Sequence, residues 1–188
     1  MTRSAKMKGH FMKTRLMVIG CSCAGKSTFS QRLAKITGLP LTHLDRLYWK
    51  SGWIEEDKQI FKAKQENIVM QESWIIDGNF RSTMEMRLEH AQIVYRFKIG
   101  TLACLQGYAK RLIQTKLKVK RTDITEGCEQ RFDWDFLKFI AEFSRKQEKQ
   151  TDETLKKYPG VKVITFHSRK QADLYLDRLE DYFKIKTL

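Results

Sequence analysis

The chain has 188 residues, 41% of them apolar and 31% charged, which fits one soluble domain with room for a modest insert. Two prolines and ten glycines exclude a low-complexity or collagen-like chain. No apolar run approaches the roughly 18 residues of a membrane span. The four cysteines, at 21, 23, 104 and 128, are too few and too unevenly spaced for a disulfide framework, so a reducing, cytoplasmic setting is expected.

The net charge of +14 is concentrated. Residues 1–44 and 90–122 each hold eight Lys or Arg and no carboxylate, whereas the remainder holds 20 basic and 22 acidic residues. Two basic segments in a nearly neutral background suit a site that gathers a polyanion such as a nucleotide. Nucleic acid is the other partner such a charge suggests.

In chain order, residues 1–14 read as a basic tail, with Met12 as an alternative start, and residues 15–188 as a single domain. Arg15–Ile19 is a short apolar run entering a glycine and reads as a buried strand. Phe29, Leu33 and Ile36 recur at helical spacing over 26–37, and Gly38-Leu39-Pro40 ends that helix. Leu41–Asp45 reads as a second strand and 60–70 as a helix behind the acidic Glu55-Glu56-Asp57. Trp74-Ile75-Ile76 is a third strand ended by Asp77-Gly78, and 92–99 a fourth. Helices follow over 102–117 and 133–155, then a fifth strand over 161–166 and a last helix over 172–183. Strands alternating with amphipathic helices predict an α/β domain with a parallel sheet. The stretch at about 112–134 breaks the alternation and reads as a basic insert.

Gly20-Cys21-Ser22-Cys23-Ala24-Gly25-Lys26-Ser27-Thr28 matches G-x-x-x-x-G-K-[ST], with a strand before it and a helix after it. The glycines let the backbone turn its N–H groups towards phosphate oxygens, and the helix N-terminus favours negative charge. Lys26 is placed to reach the β/γ-phosphates of ATP and the Ser27 hydroxyl to ligate Mg²⁺. Cys21 and Cys23 do not have a zinc spacing. Their position beside helix N–H groups predicts lowered thiol pKa values and sensitivity to oxidation.

Asp77 stands at the C-terminal end of an apolar strand, where open α/β sheets bind ligands, as a candidate for Mg²⁺ or its water. Arg81, four residues on, and Arg87 are candidates for a substrate phosphate. Arg111, Lys116, Lys118, Lys120 and Arg121 lie before or within the insert. Of these Arg111 and Arg121 are expected to contact phosphate, because a guanidinium grips it bidentately.

The phosphate loop followed by strand-Asp77-Gly78-x-x-Arg81 resembles adenylate kinase and its nucleoside-monophosphate-kinase relatives. That resemblance implies a three-layer P-loop fold with a five-stranded parallel sheet in the order 2-3-1-4-5 and Mg²⁺–ATP as cofactor. It also implies an insert beginning near Arg111 that acts as a lid, and a loop at His167-Ser168-Arg169-Lys170 that passes the adenine. Thr42-His43-Leu44-Asp45-Arg46-Leu47-Tyr48-Trp49, Trp74 to Asn79 and Arg121-x-Asp123 are similar to bacterial DNA topology modulation (FlaR-like) proteins, which adds a nucleotide-dependent nucleic-acid-binding regulator as an alternative. Tyr48 stands where the nucleotide kinases carry an arginine for the acceptor phosphate. His43-Leu44-Asp45 is similar to the Asp-x-Asp of shikimate-kinase-like enzymes, in which a carboxylate meets an acceptor hydroxyl. Asp45 therefore points to a small alcohol and Arg81 with Arg87 to a phosphate; because Asp77-Gly78-x-x-Arg81 is the more specific match, the resemblance implies an ATP-dependent phosphotransferase of the nucleoside-monophosphate-kinase type, with the alcohol kinase as an alternative. A GTPase is disfavoured by the lack of Asn-Lys-x-Asp, and no helix-turn-helix, RNP or zinc-finger signature is present.

Overall fold

The computed structural model describes residues 13–117, 119 and 121–185. The first twelve residues of the expected tail, with Lys118 and Lys120, lie outside the described residues.

Leu16, Met17, Val18 and Ile19 of β1 (Arg15–Gly20) are all at most 1% exposed. A strand without a polar face must be covered on both sides, which a parallel sheet between helical layers provides. Alternation decides which side chain faces which layer. Leu16 and Val18 pack with Phe29 and Leu33 of α1 (Lys26–Thr37) on one face. Met17 and Ile19 pack on the other with Phe61 of α3 (Lys58–Val69) and Leu88 of α4 (Met84–His90).

The remaining strands of the sheet are β2 (Leu41–His43), β5 (Trp74–Asp77), β6 (Ile93–Phe97) and β7 (Lys162–Phe166). The order is β2-β5-β1-β6-β7, and every pairing is parallel. Among the five sheet strands alone this is 2-3-1-4-5. The fuller numbering arises from a small antiparallel hairpin, β3 (Trp49–Lys50) and β4 (Ile54–Glu55), which sequence periodicity does not show because each strand is two residues long. Helices α5 (Thr101–Lys116), α6 (Trp134–Lys156) and α7 (Arg169–Ile185) complete the layers. Phe29 lies at the heart of the first face, in ring contact with Tyr95, Phe97 and Phe166.

Local chemistry sets the boundaries. The Asp57 carboxylate accepts from the Gln59 and Ile60 amides at 2.8 and 3.1 Å and starts α3, as an N-cap should. Gly38 ends α1 in the left-handed conformation, its N–H returning to Ala34. Asp45 is not in β2 but in the first turn of a one-turn helix, α2 (Leu44–Tyr48). α5 runs through Lys116, so Arg111 lies on that helix and the non-helical insert begins after it. Among the described residues no helix is long and apolar enough to cross a membrane.

Candidate nucleotide and acceptor site

β1 delivers the phosphate loop. Gly20 has φ 140°, Cys23 φ 62° and Gly25 φ 107°. A Cβ on Gly20 would fall 2.4 Å from the Phe97 carbonyl oxygen of neighbouring β6, so glycine is required there sterically as well as conformationally. Lys26 Nζ donates to the Cys21 carbonyl at 2.9 Å, folding its ammonium back over the loop. Behind the loop, the Arg169 guanidinium donates to the carbonyls of Ala24, Cys23 and Ala103 at 3.3, 3.0 and 2.6 Å. Arg169 thus ties the loop to α5.

The loop thiols do not behave as their position beside helix N–H groups predicts. Cys21 donates to Cys104 and is buried, and both effects raise its pKa; burial raises that of Cys23. The hydrogen bond to Cys104 and then burial act on Cys21, and burial acts on Cys23 at 4% exposure, so both thiols shift away from the lowered pKa that the helix N-terminus led one to expect.

The end of β5 lies beside both β1 and β2. Asp77 is in register with Val18 on one side and His43 on the other. His43 Nδ1 is 2.8 Å from Asp77 Oδ2, while Asp77 Oδ1 is buried and has no hydrogen-bond partner. An orphaned carboxylate oxygen is costly unless something polar meets it, so the donor chemistry here fits a hydrated Mg²⁺. The Ser27 hydroxyl is the other candidate ligand.

Two residues on, Asn79 has a role that sequence reasoning passed over. Asn79 clamps Gly20 from both sides of its peptide, accepting from its N–H at 2.8 Å and donating to its C=O at 2.7 Å. The Asp77 turn and the phosphate loop are therefore one unit. Arg87 stabilises the turn from beneath. It is 0% exposed and donates to the carbonyls of Gly78, Asn79, Phe80 and Thr83. With its donors committed inside the fold, Arg87 is a structural residue and not the phosphate ligand the sequence suggested. Phe80, at φ 33°, is held in a conformation unusual for a bulky residue.

Arg81 is exposed, and its guanidinium meets the side chains of Gln147 and Gln150 on α6. Asp45 follows His43 into the first turn of α2; loss of solvation raises its pKa and the Asp77 and Asp123 charges add to that, while Lys26 and Arg121 oppose it. Arg121 grips Asp123 with two bonds of 3.0 and 2.9 Å. Asp123 is 7% exposed. Burial opposes its ionisation, but the Arg121 hydrogen bonds, the Arg111 charge and a hydrogen bond from Ser27 hold its pKa well below the usual carboxylate range. Lys26, Ser27, Asp45, Asp123, Arg111 and Arg121 are therefore gathered at one place. Asp123 carries no local signal beyond Arg121-x-Asp123.

Two cavities adjoin this centre. One, of 410 Å³, is lined by Gly25, Thr28, Phe29, Gly107, Arg111 and Arg169. The other, of 640 Å³, lies between the end of α5 and the insert and is lined by Arg46, Lys116, Arg121, Ile124 and Gln130 among others.

No family model and no curated protein matches the sequence. Solved structures do match the fold. Shikimate kinase from Acinetobacter baumannii, in complex with shikimate, superposes with a TM-score of 0.56 at 13% identity, covering 95% of this chain and 98% of that one. A gluconokinase from Sinorhizobium meliloti superposes with a TM-score of 0.50 at 13% identity, covering 94% and 99%. The chain shares the α/β fold of these structures, with its five-stranded parallel sheet. At such identities the likeness is one of architecture, and the chemistry rests on this chain's own residues.

Proposed function

We propose that this protein is a Mg²⁺–ATP-dependent phosphotransferase acting on the hydroxyl of a small molecule. The carrying observation is the place of Asp45, in the turn that follows the His43–Asp77 pair at the end of β2 and beside the charge of Lys26. Phosphoryl transfer requires positioned cations around the transferring group and, for an alcohol acceptor, a base for its proton. Lys26, the loop amides and the start of α1 hold the phosphates. Arg111 and Arg121 neutralise the charge that develops on the transferring group. Ser27 and the free oxygen of Asp77 hold Mg²⁺, which when bound screens the phosphates. Asp45 receives the hydroxyl proton, and its raised pKa brings it nearer the proton affinity such a base needs. The cavity beside Gly25, Phe29 and Arg169 takes the base and ribose.

A nucleoside-monophosphate acceptor is the second reading. It is favoured by Arg81, whose exposed guanidinium meets neutral glutamine side chains and could exchange them for a phosphate. The FlaR-like regulator rests on resemblance and on basic charge.

The deciding experiment is an ATP-consumption screen over polyols, hydroxy acids, nucleosides and nucleoside monophosphates. Lys26→Ala should abolish turnover. Asp45→Asn should lower kcat about 10²–10⁴-fold with MgATP affinity retained. Turnover of monophosphates alone, lost in Arg81→Ala and kept in Asp45→Asn, selects the second reading. Absence of turnover together with DNA binding that weakens steeply with salt selects the regulator.

A further inference from the structure

His43 and Asp77 stand side by side where the parallel pairing of β2 and β5 ends. Both are buried, and His43 Nδ1 lies 2.8 Å from Asp77 Oδ2. An ionised carboxylate only accepts hydrogen bonds, so Nδ1 carries the hydrogen. The bond ties the edge strand β2 to the strand inside it.

Among the described residues the Asp77 carboxylate has no other donor, because the groups around it are committed elsewhere. The Gly78 amide donates to the Val18 carbonyl at 3.0 Å. Asn79 donates to the Gly20 carbonyl, and Arg87 to the carbonyls of Gly78, Asn79, Phe80 and Thr83. The torsion that turns a carboxylate about its own axis is broad and has no staggered minimum to fix it. A neighbouring donor must therefore decide how the two oxygens are placed. At Asp77 that donor is His43, and its bond to Oδ2 leaves Oδ1 as the buried oxygen without a partner.

We infer that His43 is a positioning residue of the metal site: by holding Oδ2 it fixes the Asp77 carboxylate with Oδ1 presented to the Mg²⁺ that accompanies the nucleotide. It acts through Asp77. A hydrogen-bond partner of this kind, on a ligating carboxylate, is worth about 10–100-fold in metal affinity. The inference rests on the proposal that Asp77 holds Mg²⁺.

The test separates the two ring nitrogens. Asparagine carries its amide nitrogen as many bonds from Cα as Nδ1 of histidine, and glutamine as many as Nε2. His43→Asn thus keeps a donor for Oδ2, whereas His43→Gln displaces it. Calorimetry reads ADP binding to the full-length protein in EDTA and in Mn²⁺, which stands in for Mg²⁺, and electron paramagnetic resonance reads the free Mn²⁺. In His43→Gln the Mn²⁺ affinity of the ADP-bound protein should fall at least about 10-fold, with ADP binding in EDTA unchanged. His43→Asn should stay within about two-fold of the wild type. A merely structural role would weaken ADP binding with and without metal alike. If His43→Gln does not fold, His43→Ala, which removes the donor without adding length, gives the same readout. Asp77→Asn is the control for the metal assignment and should also lose Mn²⁺ affinity. Unchanged or tighter Mn²⁺ binding in the folded glutamine or alanine variant, an equal loss in His43→Asn, or an equal loss of ADP binding in EDTA overturns the inference. If Asp77→Asn has meanwhile lost Mn²⁺ affinity, the metal assignment stands without it. If Asp77→Asn binds Mn²⁺ as the wild type does, both fall.

Discussion

Gly107→Ala is the substitution whose outcome sequence and structure predict with opposite sign. Gly107 lies inside the 16-residue α5. For an ordinary helix interior, alanine in place of glycine is worth about 1 kcal/mol of stabilisation. In this fold the added Cβ would lie 2.4 Å from the Cys23 carbonyl oxygen and 2.7 Å from the Arg169 guanidinium. The side chain of Arg169 can shift, but the carbonyl belongs to the phosphate loop and itself accepts from Arg169 at 3.0 Å. Relieving the clash means moving α5 away from the loop or moving the loop, an overpacking cost of about 1–3 kcal/mol. Set against the helix gain, the net loss is about 0–2 kcal/mol, or up to about 8 °C in melting temperature for a domain of this size. Because the displaced atom is part of the phosphate cradle, MgATP affinity should fall alongside stability. Differential scanning calorimetry and isothermal titration read the two effects separately. A Gly107→Ala protein that melts about 1 kcal/mol higher and binds MgATP as the wild type does would refute the proposed contact between α5 and the loop.

Asn79→Ala removes both bonds to the Gly20 peptide and should cost about 1–3 kcal/mol, with weakened MgATP binding; a variant unchanged in melting and titration would show that the clamp contributes nothing. Asp77→Asn should displace the Mg²⁺ dependence of turnover to higher concentration, because the amide replaces one of two carboxylate oxygens beside His43; an identical Mg²⁺ titration would return Asp77 to a turn residue. Glu56 pairs with Lys50 and Lys64, which pull its pKa from 4.5 down to about 2. Its folded pKa is depressed, so its contribution is full above about pH 4.5 and is lost as pH falls through about 2. Glu56→Gln should therefore melt below the wild type at pH 7, and the gap should close in acid; a gap independent of pH would refute the pairing.

The phosphate loop was legible in the chain because strand, glycines, lysine and helix are contiguous, and each acts through its own backbone or its immediate neighbours. The parallel sheet was legible for a similar reason: strands buried on both faces, as at Leu16–Ile19, leave a continuous apolar run. The roles of charged side chains were not legible, because they depend on what the fold brings against them. Arg81 and Arg87 are six residues apart and look equivalent in sequence, yet Arg87 is committed to four carbonyls while Arg81 is exposed. Cys21 and Cys23 appeared activated by a helix N-terminus, yet the contact of Cys21 with Cys104 of α5 and the burial of Cys23 raise their pKa values. Asn79 reaches back 59 residues to Gly20, and Asp123 reaches Ser27 across most of the domain. Local sequence determines which backbone can cradle a phosphate, since that depends on dihedral freedom and helix dipole within a few residues. Which carboxylates and guanidiniums meet at that cradle was decided by tertiary structure, since desolvation and ion pairing depend on distance in space.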